Sequence, residues 1–210
     1  MRIVSLSLIA DTETMKESSD VVREAADILA GLEKKRGTVL DSSRLIVRKT
    51  KSMIHAIHMG EDCTQISDSL EDDVGALLSA IGDEPSILCS GIVQDTLSEY
   101  AEAMIFASVI RGVRIPSFND LSISPQSWVV GLADSIGEMR RMILTYLADG
   151  KLSDARSLFE VMDAIGDDVL GFDVPDAIVP IRRKQDVARG VIEKTRSDLT
   201  NAIVLAQYKN

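Results

Sequence analysis

Glu99-Tyr100-Ala101-Glu102-Ala103-Met104-Ile105-Phe106-Ala107 is almost wholly apolar, yet it holds two glutamates three residues apart. From Tyr100 to Ile110 the only polar groups are Glu102, Ser108 and the tyrosine hydroxyl. Such a stretch reads as a core helix, running from about Ile92 to Arg111, stopped by Gly112 and followed by Pro116. Aspartate and glutamate are almost never fully buried unless a cation, a metal or a raised pKa compensates the charge. Two acids on one face of a core helix therefore need an explanation.

A second stretch repeats the conflict. Gly131-Leu132-Ala133-Asp134-Ser135-Ile136-Gly137-Glu138 places Asp134 and Glu138 four apart, again on one helical face. Gly131 and Gly137 flank Asp134, and either would let another backbone approach closely. Ser124-Pro125 is the start signal of this helix, with serine as N-cap and proline at the first helical position; it should reach Asp149-Gly150.

Working outward, the rest of the chain is also helix after helix. No proline interrupts Thr14 to Met59, and apolar residues recur there at three-and-four spacing. Gly37 with Asp41-Ser42-Ser43 either divides this region into two helices or kinks a single long one. A helix follows from near Thr64 to Ile81, then a loop over Ser86 to Ser90. Ser153 caps a helix that stops near Gly171, and Ile181 to about Gln207 makes the last one. No strand-like alternation, repeat or dividing linker stands out. The fold expected is all-α: an antiparallel helical bundle of about six or seven helices, forming one domain over residues 1–210.

Composition agrees. The chain has 210 residues, enough to bury a sizeable core without staples; 45% are apolar and 4% aromatic. Cys63 and Cys89 lack metal-knuckle or redox spacing, and two free thiols fit a reducing, cytoplasmic compartment. His55 and His58 have no cysteine company, which argues against zinc. The apolar run within Met1 to Ala10 is too short for a membrane span and a poor signal peptide. A net charge of −10 argues by itself against nucleic acid, but the basic residues are clustered, and a local patch acts at short range.

Two readings of the acids stand side by side. Four carboxylates on two core helices would hold a hard divalent cation, and an all-oxygen set selects magnesium, manganese or calcium over zinc or copper. Alternatively some are solvated surface acids, and Arg140 and Arg141 neutralise Glu138.

The same stretches resemble the translin family, nearer its catalytic branch, translin-associated factor X. The likeness runs from about Asp95 to Leu199. It rests on Glu99 to Ala103, on Gly131 to Glu138 with Met139-Arg140-Arg141, and on Arg183-Lys184-Gln185-Asp186-Val187-Ala188-Arg189 with Glu193-Lys194. A weaker match covers Arg44 to Gly60, and residues 1–35 are poorly matched. The resemblance implies an all-helical fold, a closed homo-oligomeric shell and a magnesium-dependent endoribonuclease acting on single-stranded RNA. It implies Glu99, Glu102 and Asp134 as catalytic metal ligands, with Glu138 as a further ligand or a carboxylate behind them. The alternative it carries is a non-catalytic protein of the translin type that binds single-stranded RNA or DNA.

Basic residues that would track a nucleic-acid strand are Arg44, Arg48 and Lys51 on one helical face, Arg111 and Arg114 after the first acidic helix, and Arg183 and Lys184 at the start of the last. The plainer reading is that they are solvated faces balancing many acids. Self-association is also expected from the apolar run Ala202-Ile203-Val204-Leu205-Ala206.

Overall fold

The structure is a computed structural model that describes residues 12–207. The reading of Met1 to Ala10 lies outside the described residues. Seven helices and no strand occur among them: α1 (Thr12–Met59), α2 (Thr64–Ile81), α3 (Pro85–Leu88), α4 (Gly91–Arg111), α5 (Pro125–Ala148), α6 (Leu152–Leu170) and α7 (Arg182–Gln207).

α1 is one uninterrupted helix of 48 residues, passing through Gly37 and Asp41-Ser42-Ser43. The reason lies in its buried stripe. Val39, Ser43, Ile46, Thr50, Met53 and Ile57 recur at alternating steps of four and three, and all are buried. Packing along that stripe outweighs the cost of about 1 kcal/mol for a helical glycine. Residues 16–31 are exposed on every side, including Val22 and Leu29.

The other ends follow local chemistry. Ser124 Oγ accepts from the Ser127 amide at 3.1 Å, as its N-cap position predicts. Gly112 closes α4 in the left-handed region at φ 65°, donating to the Ser108 and Val109 carbonyls. Two expectations are corrected. Pro85 starts a single helical turn, α3, where a loop was expected. α6 begins at Leu152, so Ser153 lies inside it and caps nothing.

Short turns reverse the chain. Lys49 of α1 meets Asp73 of α2 at 2.5 Å and Lys35 donates to the Ile81 carbonyl at 3.0 Å, so these helices are antiparallel. α6 and α7 are antiparallel, as Arg196 meeting Asp163 and Gln185 meeting the Phe172 carbonyl require, and α5 runs parallel to α7, with Asp134 against Lys184 and Arg140 against Asp198. The longer connection, residues 112–124, instead returns the chain to the starting end of α4. It is fastened by Trp128 Nε1 donating to the Pro116 carbonyl at 2.8 Å. α5 therefore runs beside α4 in the same sense, with Ser127 against Gln94 near both N-termini. α5 is central, packed by α4, α6 and α7, and its neighbours set the surroundings of Asp134 and Glu138.

Candidate active site

Close contact between α4 and α5 builds the site. A Cβ at Gly131 would lie 2.6 Å from both the Ala101 Cβ and the Ser98 carbonyl oxygen, and 2.8 Å from the Glu102 amide nitrogen. The two helices touch backbone to backbone there, as only glycine allows. Glu102 is the next residue after Ala101, and Asp134 lies almost one turn beyond Gly131. Gly137 does not share this role: a Cβ there meets nothing within 4 Å.

Glu102 sits at the centre of the acids. Burial first, then the charges of Asp134, Glu99 and Glu138, push its carboxyl up to about 8, against a smaller opposing pull from Lys184. No hydrogen bond contributes. At neutral pH the folded protein keeps this acid largely protonated. A half-buried carboxyl crowded by three others, without a hydrogen-bonding partner, is the feature that fits a hard divalent cation.

The neighbouring acids have partners. Lys184 Nζ donates to both oxygens of Asp134, at 2.6 and 2.7 Å. His58 Nε2 lies 2.6 Å from Glu138 Oε2, with its ring tilted against Phe106 at 5.2 Å between centroids. The His58 side chain is only 6% exposed, and its Nδ1 is buried without a partner. Arg141 stands 3.7 Å from the same Glu138 oxygen, exposed and i+3 along the helix. Arg140 turns away to Thr195 Oγ1 at 2.7 Å and Asp198 at 2.8 Å, so the expected neutralisation of Glu138 by both arginines is corrected. Among the described residues no three histidine, cysteine, aspartate or glutamate side chains already close on one point as metal ligands. The donor chemistry and the surplus of negative charge fit a cation, and Lys184 and His58 hold the two α5 acids.

Glu99, Asp134 and Lys184 open onto a cleft of about 910 Å³, walled by Leu97, Ile123 and Val130. Of the basic residues, Lys184 alone lines it; Arg183 is exposed one position away. Arg44, Arg48 and Lys51 are exposed on α1, with Arg44 3.6 Å from Asp41. Arg111 is turned to Cys63 Sγ and Thr64 Oγ1, and Arg114 pairs with Asp120 at 3.0 Å, so both serve local contacts. The sequence signals missed two contacts, His58 with Glu138 and Lys184 with Asp134. Their partners lie 80 and 50 residues apart, and no spacing rule reaches that far.

An archaeal solved structure, the crystal structure of AfC3PO, matches this arrangement of helices. It is 30% identical with a TM-score of 0.73, over 88% of this chain and 97% of that one. The chain belongs to the translin family. AfC3PO solved in complex with duplex RNA matches this translin-family chain at 29% identity and TM-score 0.72, over 88% and 97%. The apo form of NeC3PO, from Neurospora, shares the fold at 20% identity and TM-score 0.77, over 86% and 96%. The uncharacterized protein MJ0175 of Methanocaldococcus jannaschii is 29% identical over 187 residues, 88% of this chain and 83% of that protein. No family profile matches the chain. Among the described residues of this translin-family protein, no helix is long and apolar enough to cross a membrane.

Proposed function

We propose that this chain is a divalent-cation-dependent endoribonuclease cleaving single-stranded RNA inside a homo-oligomeric shell, nearer the catalytic branch of the translin family than translin itself. One observation carries the reading: Glu102 is a half-buried acid without a hydrogen bond, raised by desolvation and by three other carboxylates on the same two helices. Glu99, Glu102 and Asp134 would hold magnesium, with manganese or calcium as substitutes, and Glu138 would stand behind them, oriented by His58. A magnesium ion bound there supplies Lewis-acid stabilisation of phosphate charge and an acidified water.

The chain's own residues do the rest. The cleft beside Glu99 and Asp134 admits a flexible strand, and its apolar walls accept unstacked bases. Lys184 and Arg183 at the mouth of α7 meet phosphates, and the exposed Arg44, Arg48 and Lys51 lengthen the basic track. The duplex RNA bound by the related AfC3PO favours nucleic acid as the ligand class. The net charge of −10 fits a protein that relies on these few local cations.

The test is cleavage of a single-stranded oligoribonucleotide with magnesium, with EDTA, and by Glu102→Gln. Cleavage is expected only in the first condition; activity surviving both EDTA and the substitution rules out the metal mechanism. A second reading is favoured by the partners of Asp134 and Glu138: a non-catalytic single-strand binder in which Lys184 and His58 permanently neutralise those acids. It expects salt-sensitive binding to RNA or DNA and no turnover with any divalent cation.

A further inference from the structure

We propose that Lys184 is an exchangeable counter-ion of the acid cluster: its ammonium neutralises Asp134 until a divalent cation enters, and then turns to a phosphate of the strand in the same cleft. The proposal rests on the nuclease reading and names the residue that couples cation entry to strand capture.

The pair is made to be exchanged. Lys184 Nζ reaches both Asp134 oxygens, yet the two side chains remain 32% and 36% exposed, so water replaces either partner at small cost. Arg140 gives the contrast on the same helix pair. Its guanidinium is more deeply buried and divided between Thr195 and Asp198, which ties α5 to α7. A planar fork held by two partners stays in place, whereas a lysine is a point charge on a flexible four-carbon stem.

Charge favours the exchange. One ammonium serves a cluster in which Asp134, Glu99 and Glu138 all act on Glu102. A divalent ion brings twice the charge and binds several oxygens at once, so it outcompetes Lys184 for Asp134. The released ammonium remains in the cleft that Asp134 and Glu99 also line. It is the third residue of α7, behind Arg182 and Arg183, and no acid lies in that first turn. Cations at a helix N-terminus are unfavourable unless an anion faces them. Asp134 is that anion before exchange, and a phosphate replaces it afterwards.

The experiment compares wild type with Lys184→Met by counting free manganese with electron paramagnetic resonance, and by measuring affinity for a single-stranded oligodeoxynucleotide that resists cleavage. Manganese affinity is expected to rise at least about five-fold in the variant, while strand affinity in manganese falls by a similar factor. Unchanged or weaker manganese binding, with only a lower melting temperature, makes the pair purely structural and overturns the proposal. Absence of manganese binding from both proteins instead removes the cation site itself, and the nuclease reading with it. A second measurement needs no variant. Acylation of Lys184, followed by mass spectrometry against the exposed Lys194 at constant ionic strength, should speed up several-fold on adding magnesium. An unchanged ratio of the two lysines overturns the proposal.

Discussion

Gly131 of α5 and Ala101 of α4 lie so close that a methyl group on the glycine would come within 2.6 Å of the alanine Cβ. That distance fixes how near the helices run, and so sets Asp134 beside Glu102. Gly131→Ala must force the backbones apart, at an expected cost of about 1–3 kcal/mol as for other overpacked cores. Thermal denaturation should show a clear drop for this variant and loss of manganese binding. Gly137→Ala is the control, with no atom within 4 Å of the added Cβ and an expected gain of up to about 1 kcal/mol. Equal melting temperatures for Gly131→Ala and wild type would contradict the close-contact account.

The raised carboxyl of Glu102 makes stability depend on pH. Its folded value is about 8 against an ordinary 4.5, so between these limits the folded state holds a proton that the unfolded chain releases. This contribution to stability is fully present below 4.5 and is lost as pH rises through about 8. In the absence of divalent cations, Glu102→Gln should therefore melt higher than wild type. The gap should widen towards alkaline pH and reach on the order of 1–3 kcal/mol. A gap that narrows with rising pH would contradict the raised carboxyl of Glu102.

Cation binding should release that proton, because an oxygen ligand must be ionised. Calorimetric titration with manganese in buffers of different ionisation enthalpy should count nearly one proton at neutral pH, with affinity climbing towards pH 8. The count should fall close to zero in Glu102→Gln. A wild-type count of zero would place the cation away from Glu102.

Arg140 is assigned to the α5–α7 contact and not to Glu138. Arg140→Met should lower stability by about 1–3 kcal/mol, since it strips partners from Thr195 and Asp198, while leaving manganese affinity unchanged. A several-fold change in that affinity would return Arg140 to the acid cluster.

Val204 and Leu205 near the end of α7 are exposed, as are Val22, Ile28 and Leu29 on the first half of α1. Apolar surface of this kind marks association. Light scattering should give a mass above that of one chain, and Leu205→Glu with Leu29→Glu should reduce it. A monomer at working concentration would count against the shell.

The helices were legible because their signals are local. The N-cap pair Ser124-Pro125, the stop at Gly112 and the span Thr64–Ile81 all depend on neighbours within a turn or two. α1 was ambiguous for the opposite reason. Gly37 and Asp41-Ser42-Ser43 look like breakers alone, and the buried stripe from Val39 to Ile57 overrides them only by packing on other helices. The acids were legible as a contradiction, charge within apolar helix; all four are half-buried, and Glu102 is the one whose carboxyl is pushed up.

The sequence by itself determined that the chain is helical and which faces carry the four acids, since helical periodicity is a property of short segments; it offered Gly131 and Gly137 alike for close approach, and only the packing of α4 on α5 picked out Gly131. Only the tertiary structure decided which cation answers which carboxylate. Lys184 rather than an arginine takes Asp134, His58 takes Glu138, and Arg140 leaves for Asp198. These choices depend on how α1, α5 and α7 lie against one another. Charge pairing follows distance in space, and no interval along the chain encodes it.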